Sequence, residues 1–229
     1  MKTVLFDAGP IISLTTTNLL WILEELKKKS HANFSMTIGV KQELIDRPLE
    51  TRRFKFEALQ VQSLVERDII SVIKDDVVKA KANQLLNLAN SILSAHGQNI
   101  KIVQVGEMET LAAALLYKAD AIVIDERITR TLLENPKGLQ QLMEKRLHMQ
   151  LKLNEFALRE FEEATSHVTI IRSFELVTIA YEMGLLDKFI VKMPNARREL
   201  LESILWGVKL NGCSVTDDEI DTIVKAEKL

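Results

Sequence analysis

Two apolar runs, each closing on an acid, limit what this chain can fold into. The first, KTVLF at Lys2–Phe6, runs into Asp7, Ala8, Gly9 and Pro10. The second, AIVI at Ala121–Ile124, delivers Asp125 and Glu126 to the next turn. Short, continuously apolar, β-branched runs among segments of helical period are the pattern of a buried parallel sheet with helices on its faces. In such sheets ligands gather outside the carboxyl ends of the strands, which is where these acids fall. A third piece, GEMETLAAALL at Gly106–Leu116, sets Glu107 and Glu109 just ahead of an Ala/Leu-rich helix.

Carboxylates converging from strand ends repel one another and lose hydration, so they call for a cation or for basic side chains among them. Oxygen-only donors suit Mg2+ or Mn2+, and magnesium keeps several waters while taking one or two protein carboxylates. Four His and one Cys, with no CxxC or HExxH spacing, argue against zinc. The chain has no GxGxxG and no GxxxxGK[ST], which removes the standard dinucleotide and P-loop sites. Gly9 stands where a haloacid dehalogenase-type phosphatase needs its second Asp.

The chain of 229 residues carries 30 Lys+Arg against 32 Asp+Glu, a net charge of −2, so no global field announces nucleic acid. Contacts to phosphate would have to come from local patches: Lys27–Lys29, Arg52-Arg53 with Lys55, Lys145-Arg146 and Arg197-Arg198. Each alone is more often a solvated helix face. The single Cys213 excludes an internal disulfide and suits a reducing cytoplasm. With no apolar run of about 18 residues, no membrane partner is expected.

The pattern predicts strands at Lys2–Phe6, Phe34–Ile38, Ile69–Ile73, Ala121–Ile124 and His167–Ile171, alternating with helices. Among the helices are Leu19–Lys29, Thr51–Arg67 with Phe54, Leu59, Val61 and Leu64 as apolar contacts, and a long one from Asp75 or Asp76 to Ala95. Lys101–Val105 reads as a short strand or an extended connection. Gly138–Thr165 reads as one long helix whose apolar stripe must pack beside the site or across a dimer. Helices at Phe174–Met183, Asn195–Val208 and Asp217–Glu227 complete the chain.

The ordered pieces VLFDAGPIISL at Val4–Leu14, Glu43 after the second strand, GEMETLAAALL, and AIVIDERITR at Ala121–Arg130 resemble the PIN domain family of metal-dependent ribonucleases. The GExE opening and the DE-x-x-x-R pair look most like a prokaryotic, often archaeal, branch. The resemblance covers residues 1–135 well and 168–215 loosely. It implies a three-layer α/β/α fold with a parallel five-stranded sheet of order 3-2-1-4-5. It also implies a nuclease domain over 1–172 with a helical insertion at about 137–166, and a helical C-terminal segment over 173–229. Carried over residue by residue, Asp7, Glu43, Glu107 and Asp125 are the catalytic acids, with Asp7, Glu107 and Asp125 as the main ligands of Mg2+ or Mn2+. Asp46, Glu109 and Glu126 are second candidates, and Arg127 and Arg130 could bind RNA phosphates. The resemblance further implies hydrolysis of RNA to a 5′-phosphate and a 3′-hydroxyl, a toxin's or an RNA-processing role, an antitoxin partner in the first case, and frequent homodimers.

Blander readings accompany each residue. An acid in a first helical turn often only complements the helix dipole, and Asp125-Glu126 could simply cap the next helix. The same fold could hold RNA or a protein without turnover. If the acids do repel, Asp7→Asn and Asp125→Asn should leave metal-free stability unchanged or raise it.

Overall fold

The computed structural model describes residues 2–227. Strand β1 (Thr3–Phe6) ends at Asp7, whose extended backbone leads into α1 (Ala8–Thr16). Helix α2 (Ile22–Ser30) starts later than its sequence suggests, because Leu19 and Leu20 are spent on a turn that buries them. Its three lysines lie in the last turn, where the exposed carbonyls favour positive charge. Strand β2 (Asn33–Thr37) ends on Thr37, whose hydroxyl accepts the Val40 N–H and caps α3 (Ile38–Lys41). A π-helical turn (Gln42–Asp46) and α4 (Arg47–Leu49) follow. Helix α5 (Lys55–Glu66) begins four residues after the expected start, since Phe54 sits in the left-handed region at φ 61°. Val61 and Leu64 are buried as expected, whereas Phe54 and Leu59 are about half exposed.

After β3 (Ser71–Ile73), helix α6 (Asp76–Ala89) is six residues shorter than predicted. Asn90 ends it by folding its side chain over the next segment: Oδ1 accepts the N–H groups of Ile102 (2.7 Å) and Val103 (3.1 Å). That leaves Leu93–Ala95 (β4) and Gln98–Asn99 (β5) to form a hairpin. Its turn is His96-Gly97 at φ 51° and 80°; two successive positive φ values favour glycine and match the twist of a hairpin. Gly97 therefore makes a hairpin here rather than closing a helix. Lys101–Gln104 is an extended connection.

Helix α7 (Val105–Leu116) is buried almost all round. Strand β6 (Ala121–Val123), α8 (Arg127–Glu134) and α9 (Pro136–Leu147) come next. The long helix expected over Gly138–Thr165 breaks at His148, which is left-handed at φ 53°. The chain then forms β7 (Lys152–Leu153), antiparallel to β4, before α10 (Glu155–Thr165). Two side chains of α9 hold the break: Gln140 Nε2 donates to the Leu151 carbonyl (2.8 Å), and Glu144 Oε1 accepts the Leu151 N–H (2.9 Å). Within the expected stripe, Leu139 is buried but Met149 and Phe156 are exposed. Strand β8 (Ile170–Ile171), α11 (Ser173–Glu182), a 3₁₀ turn (Asp187–Phe189), α12 (Ala196–Leu210) and α13 (Asp217–Ala226) complete the fold.

The main sheet is parallel, in the order β3-β2-β1-β6-β8. Counting its own strands, that is the expected order 3-2-1-4-5, with β1 and β6 as neighbours. Alternation along the strands divides the interior into two cores. Phe6 and Val123 face a layer built from α1, α2, α5 and the C-terminal helices α11–α13. Leu5, Ile122 and Ile124 face α6, α7 and the helices after β6. The result is three layers, α/β/α, with the two acid-tipped strands at the centre. Among the described residues, no helix is long and apolar enough to cross a membrane.

The C-terminal layer is latched by charge as well as by packing. Arg172, ahead of α11, donates to Glu175 and to Glu219 of α13 (2.7 Å to the latter). Burial alone would raise the Glu219 carboxyl, but the Thr216 N–H and the Arg172 guanidinium hold it down at about 2. A carboxyl depressed in the folded state stabilises fully above its unfolded pKa, about 4.3, and loses that contribution as pH falls towards 2. Glu219→Gln should therefore flatten the acid limb of the stability curve over that window. It should also speed hydrogen exchange in α13 at neutral pH; exchange unchanged there would mean that packing alone holds the helix.

Candidate active site

The backbone brings the acid-tipped strands together: the Asp7 N–H donates to the Val123 carbonyl (3.0 Å) across the β1–β6 pair. Asp7 is buried (8% exposed) and its carboxylate accepts no cap hydrogen bond of good geometry. Burial pushes it up to about 7, helped by Glu107 and Glu43, although the N–H groups of Ala8 and Gly9 pull the other way.

Glu107 lies in the first turn of α7 and accepts the Gln104 N–H through Oε2 (2.8 Å). Burial is the main cause that raises its carboxyl, opposed by the Gln104 N–H and then reinforced by Glu126 and Glu43. The Thr129 hydroxyl leans on the same carboxylate and lowers it, yet that hydroxyl is fully buried without a hydrogen-bond partner of standard geometry. Glu43 arrives from the π-helical turn, a local irregularity common at functional sites. It is exposed, and a side chain at Gly106 would come within 3.9 Å of its Oε2.

The structure thus gathers Asp7, Glu43 and Glu107. Glu126 joins them from the Glu107 side while its Oε2 caps α8 by accepting the Thr129 N–H (2.7 Å). Asp125 stands apart in its bonding. It is 2% exposed, and both oxygens are committed: Oδ1 to the Ser173 N–H (2.7 Å), Oδ2 to the hydroxyls of Ser173 (2.7 Å) and Ser13 (2.9 Å). Its carbonyl accepts the Ser214 N–H (3.1 Å). Cys213 packs alongside, its thiol pushed up to about 12 by burial and by Asp125.

The second candidates separate as well. Asp46 is ion-paired with Lys41. Glu109 is buried against α3, where a Cβ on Gly39 would lie 2.0 Å from its Oε2 and would push the carboxylate aside. Its other contact is the Thr37 hydroxyl, at 3.5 Å. Arg130 is committed to the Ser214 carbonyl (2.9 Å) and to Glu134 (3.4 Å), while Arg127 is exposed at the start of α8.

Two cavities flank the acids. On one side Glu107 and Glu126 share a space of about 380 Å³ with Lys101, Gln104 and, from α9, Met143 and Arg146. Helix α9 thus walls this cavity and brings a cation to it. On the other side Glu43 opens on an apolar space of about 260 Å³ between α1 and α5. Sequence reasoning missed Lys101, Ser13 and Ser173; the two serines reach Asp125 from 112 and 48 residues away, and no local signal marks them.

The donor chemistry fits a hard cation: carboxylates only, one of them buried and held up near neutrality, beside an orphaned hydroxyl. Among the described residues, no ion pair involves Asp7, Glu43 or Glu107. Nor do any three His, Cys, Asp or Glu side chains there stand close enough to hold one ion together. Direct ligation would then fall to one or two carboxylates with water completing the shell, the usual magnesium habit.

No family model matches the chain, and no curated protein sequence does. Among solved structures, VapBC2 from Rickettsia felis, bound to a DNA fragment from its promoter, aligns over 74% of this chain and 98% of that one. The identity is 10% and the TM-score 0.44, too loose a likeness to carry an argument. The fold class rests on the three layers and on the order of the parallel sheet.

Proposed function

We propose that the chain is a PIN-like ribonuclease that hydrolyses RNA phosphodiester bonds with Mg2+ or Mn2+. One observation carries the reading: Asp7, at the tip of a central strand, is buried beside Glu107 and Glu43 with its carboxyl raised to about 7. A cluster so arranged costs stability when ionised, and a bound cation would offset that cost. Asp7 and Glu107 are the residues that would hold the ion, with Glu43 and Glu126 reaching it through water. When bound, the ion would polarise the scissile phosphate and activate water for attack.

The chain's own groups define the rest. Burial of Asp7 keeps bulk water from its carboxylate and strengthens its interaction with any cation. The Gln104 N–H fixes the Glu107 carboxylate. Glu43, exposed on its π-helical turn, is placed to take a proton from a water beside the phosphate. Asp125 acts here by position, holding the loop that carries Glu126 against α1 and α11.

The test is cleavage of a labelled single-stranded RNA in Mn2+ or Mg2+ by the full chain and by Glu107→Gln. We expect metal-dependent cleavage that EDTA stops and that Glu107→Gln reduces to the buffer blank. Cleavage unaffected by Glu107→Gln would point to a contaminating nuclease. No cleavage by the unmodified chain with either metal would favour a non-catalytic module.

A further inference from the structure

The apolar cavity beside Glu43 has chemistry that the acids alone do not use. Ile12 of α1 and Leu44, Pro48 and Val61 form its walls, while Phe54 forms its lip. Phe54 is 49% exposed and held at φ 61°, a conformation costly for a bulky side chain. The Arg53 guanidinium lies over its ring, 4.5 Å from the centroid. Arg52, Arg53 and Lys55 are all exposed at this rim. Glu43, Glu57, Thr15 and Thr16 also line it, but its surface is almost wholly apolar, and the two threonine hydroxyls donate to the Ile11 (2.6 Å) and Ile12 (2.8 Å) carbonyls.

We propose that this cavity takes one unpaired nucleobase of the RNA whose backbone crosses the acids, and that it favours bases carrying an exocyclic amino group. The proposal rests on the nuclease reading and names its substrate class: single-stranded RNA with adenine, cytosine or guanine, rather than uracil, beside the scissile phosphate. An aromatic ring on a cationic rim is the usual platform for an unstacked base. The Glu43 and Glu57 carboxylates along the lining repel a phosphate but can accept hydrogen bonds from an amino group, as Asp and Glu do from the amino group of cytosine. Glu43 lines the cavity and also belongs to the acid cluster, so a base held here places its own phosphate at the acids.

The experiment measures fluorescence anisotropy of labelled RNA octamers with the full chain in EDTA, where turnover is stopped. The probes are oligo(A), oligo(C), oligo(U) and an abasic octamer; the variants are Phe54→Ala and Phe54→Trp. We expect tighter binding of oligo(A) and oligo(C) than of oligo(U). Phe54→Ala should weaken oligo(A) binding roughly 5- to 100-fold, the range for loss of one stacking platform, with little change for the abasic probe and near-normal binding by Phe54→Trp. Because Phe54 is half exposed, the melting temperatures should agree, which separates lost binding from lost fold. If Phe54→Ala binds oligo(A) like the unmodified chain while RNA is still cleaved, the base site is wrong and the nuclease reading stands. If it weakens oligo(A) and the abasic probe equally, the groove reads charge rather than a base. Phe54-dependent binding without any cleavage would keep the base site and sink the nuclease. An unmodified chain that neither binds nor cleaves RNA would sink both.

Discussion

Asp125→Ala should lower the melting temperature of the metal-free protein by about 10 °C, equivalent to ~3 kcal/mol for a chain of this size. The carboxylate is buried and accepts a backbone N–H and two hydroxyls from Ser13 and Ser173. Alanine strands the N–H and hydroxyl of Ser173 in the interior, where each unmade bond costs its full desolvation, while the Ser13 hydroxyl keeps the Asn211 carbonyl (3.2 Å). Asp125→Asn should cost less, because one amide oxygen can keep the Ser173 N–H while the serine hydroxyls turn to accept from the amide. Both changes destabilise, opposite in sign to the expectation from mutual repulsion. The difference is that Asp125 bonds to donors on α1 and at the start of α11, joining the sheet to the C-terminal layer. Thermal denaturation in EDTA decides it: a melting temperature equal to or above that of the unmodified chain would mean these bonds contribute nothing net.

Asp7→Asn should do the reverse, and only above a certain pH. The folded carboxyl is raised to about 7 from an ordinary value of 3.8, chiefly by burial. Between those values the folded protein binds more protons than the unfolded one, so stability falls as pH rises through the window. It is fully present below about pH 4 and lost by about pH 7. At most the loss amounts to about 4 kcal/mol, at roughly 1.4 kcal/mol per pKa unit. Asparagine mimics the protonated acid and does not titrate. The variant should therefore match the metal-free protein near pH 4 and exceed it by a few kcal/mol at pH 7.5. Denaturant titrations at the two pH values would show this; a difference independent of pH would place its origin in packing.

The contrast between Asp7 and Asp125 shows what a sequence can carry. That each acid tips a strand was legible, because an apolar run and the residue that ends it are local features. So was the sheet order, which makes those strands neighbours. Which way a carboxylate points was not legible. Asp125 is bound by Ser13 and Ser173, 112 and 48 residues away, and nothing near Asp125 announces them. Glu126, by contrast, is turned towards Glu107 by the Thr129 N–H three residues on.

Element boundaries failed for the same reason. The predicted helix over Gly138–Thr165 contains no interior proline or glycine to stop it. It breaks at His148 because Gln140 and Glu144 bind the Leu151 backbone and Lys152–Leu153 finds a partner in β4. Asn90 likewise ends α6 early, by bonding twelve and thirteen residues ahead. Both stops are tertiary hydrogen bonds that outweigh local helical preference.

The cluster of Asp7, Glu107 and Glu43 as a cation site is tested most directly by titrating the full chain with Mn2+ at pH 7.5 and following heat or bound metal. The expected result is saturable binding that releases a fraction of a proton from Asp7, disappears in Asp7→Asn, and persists in Glu219→Gln. Binding of equal strength in Asp7→Asn, or no saturable binding by the unmodified chain, would contradict it.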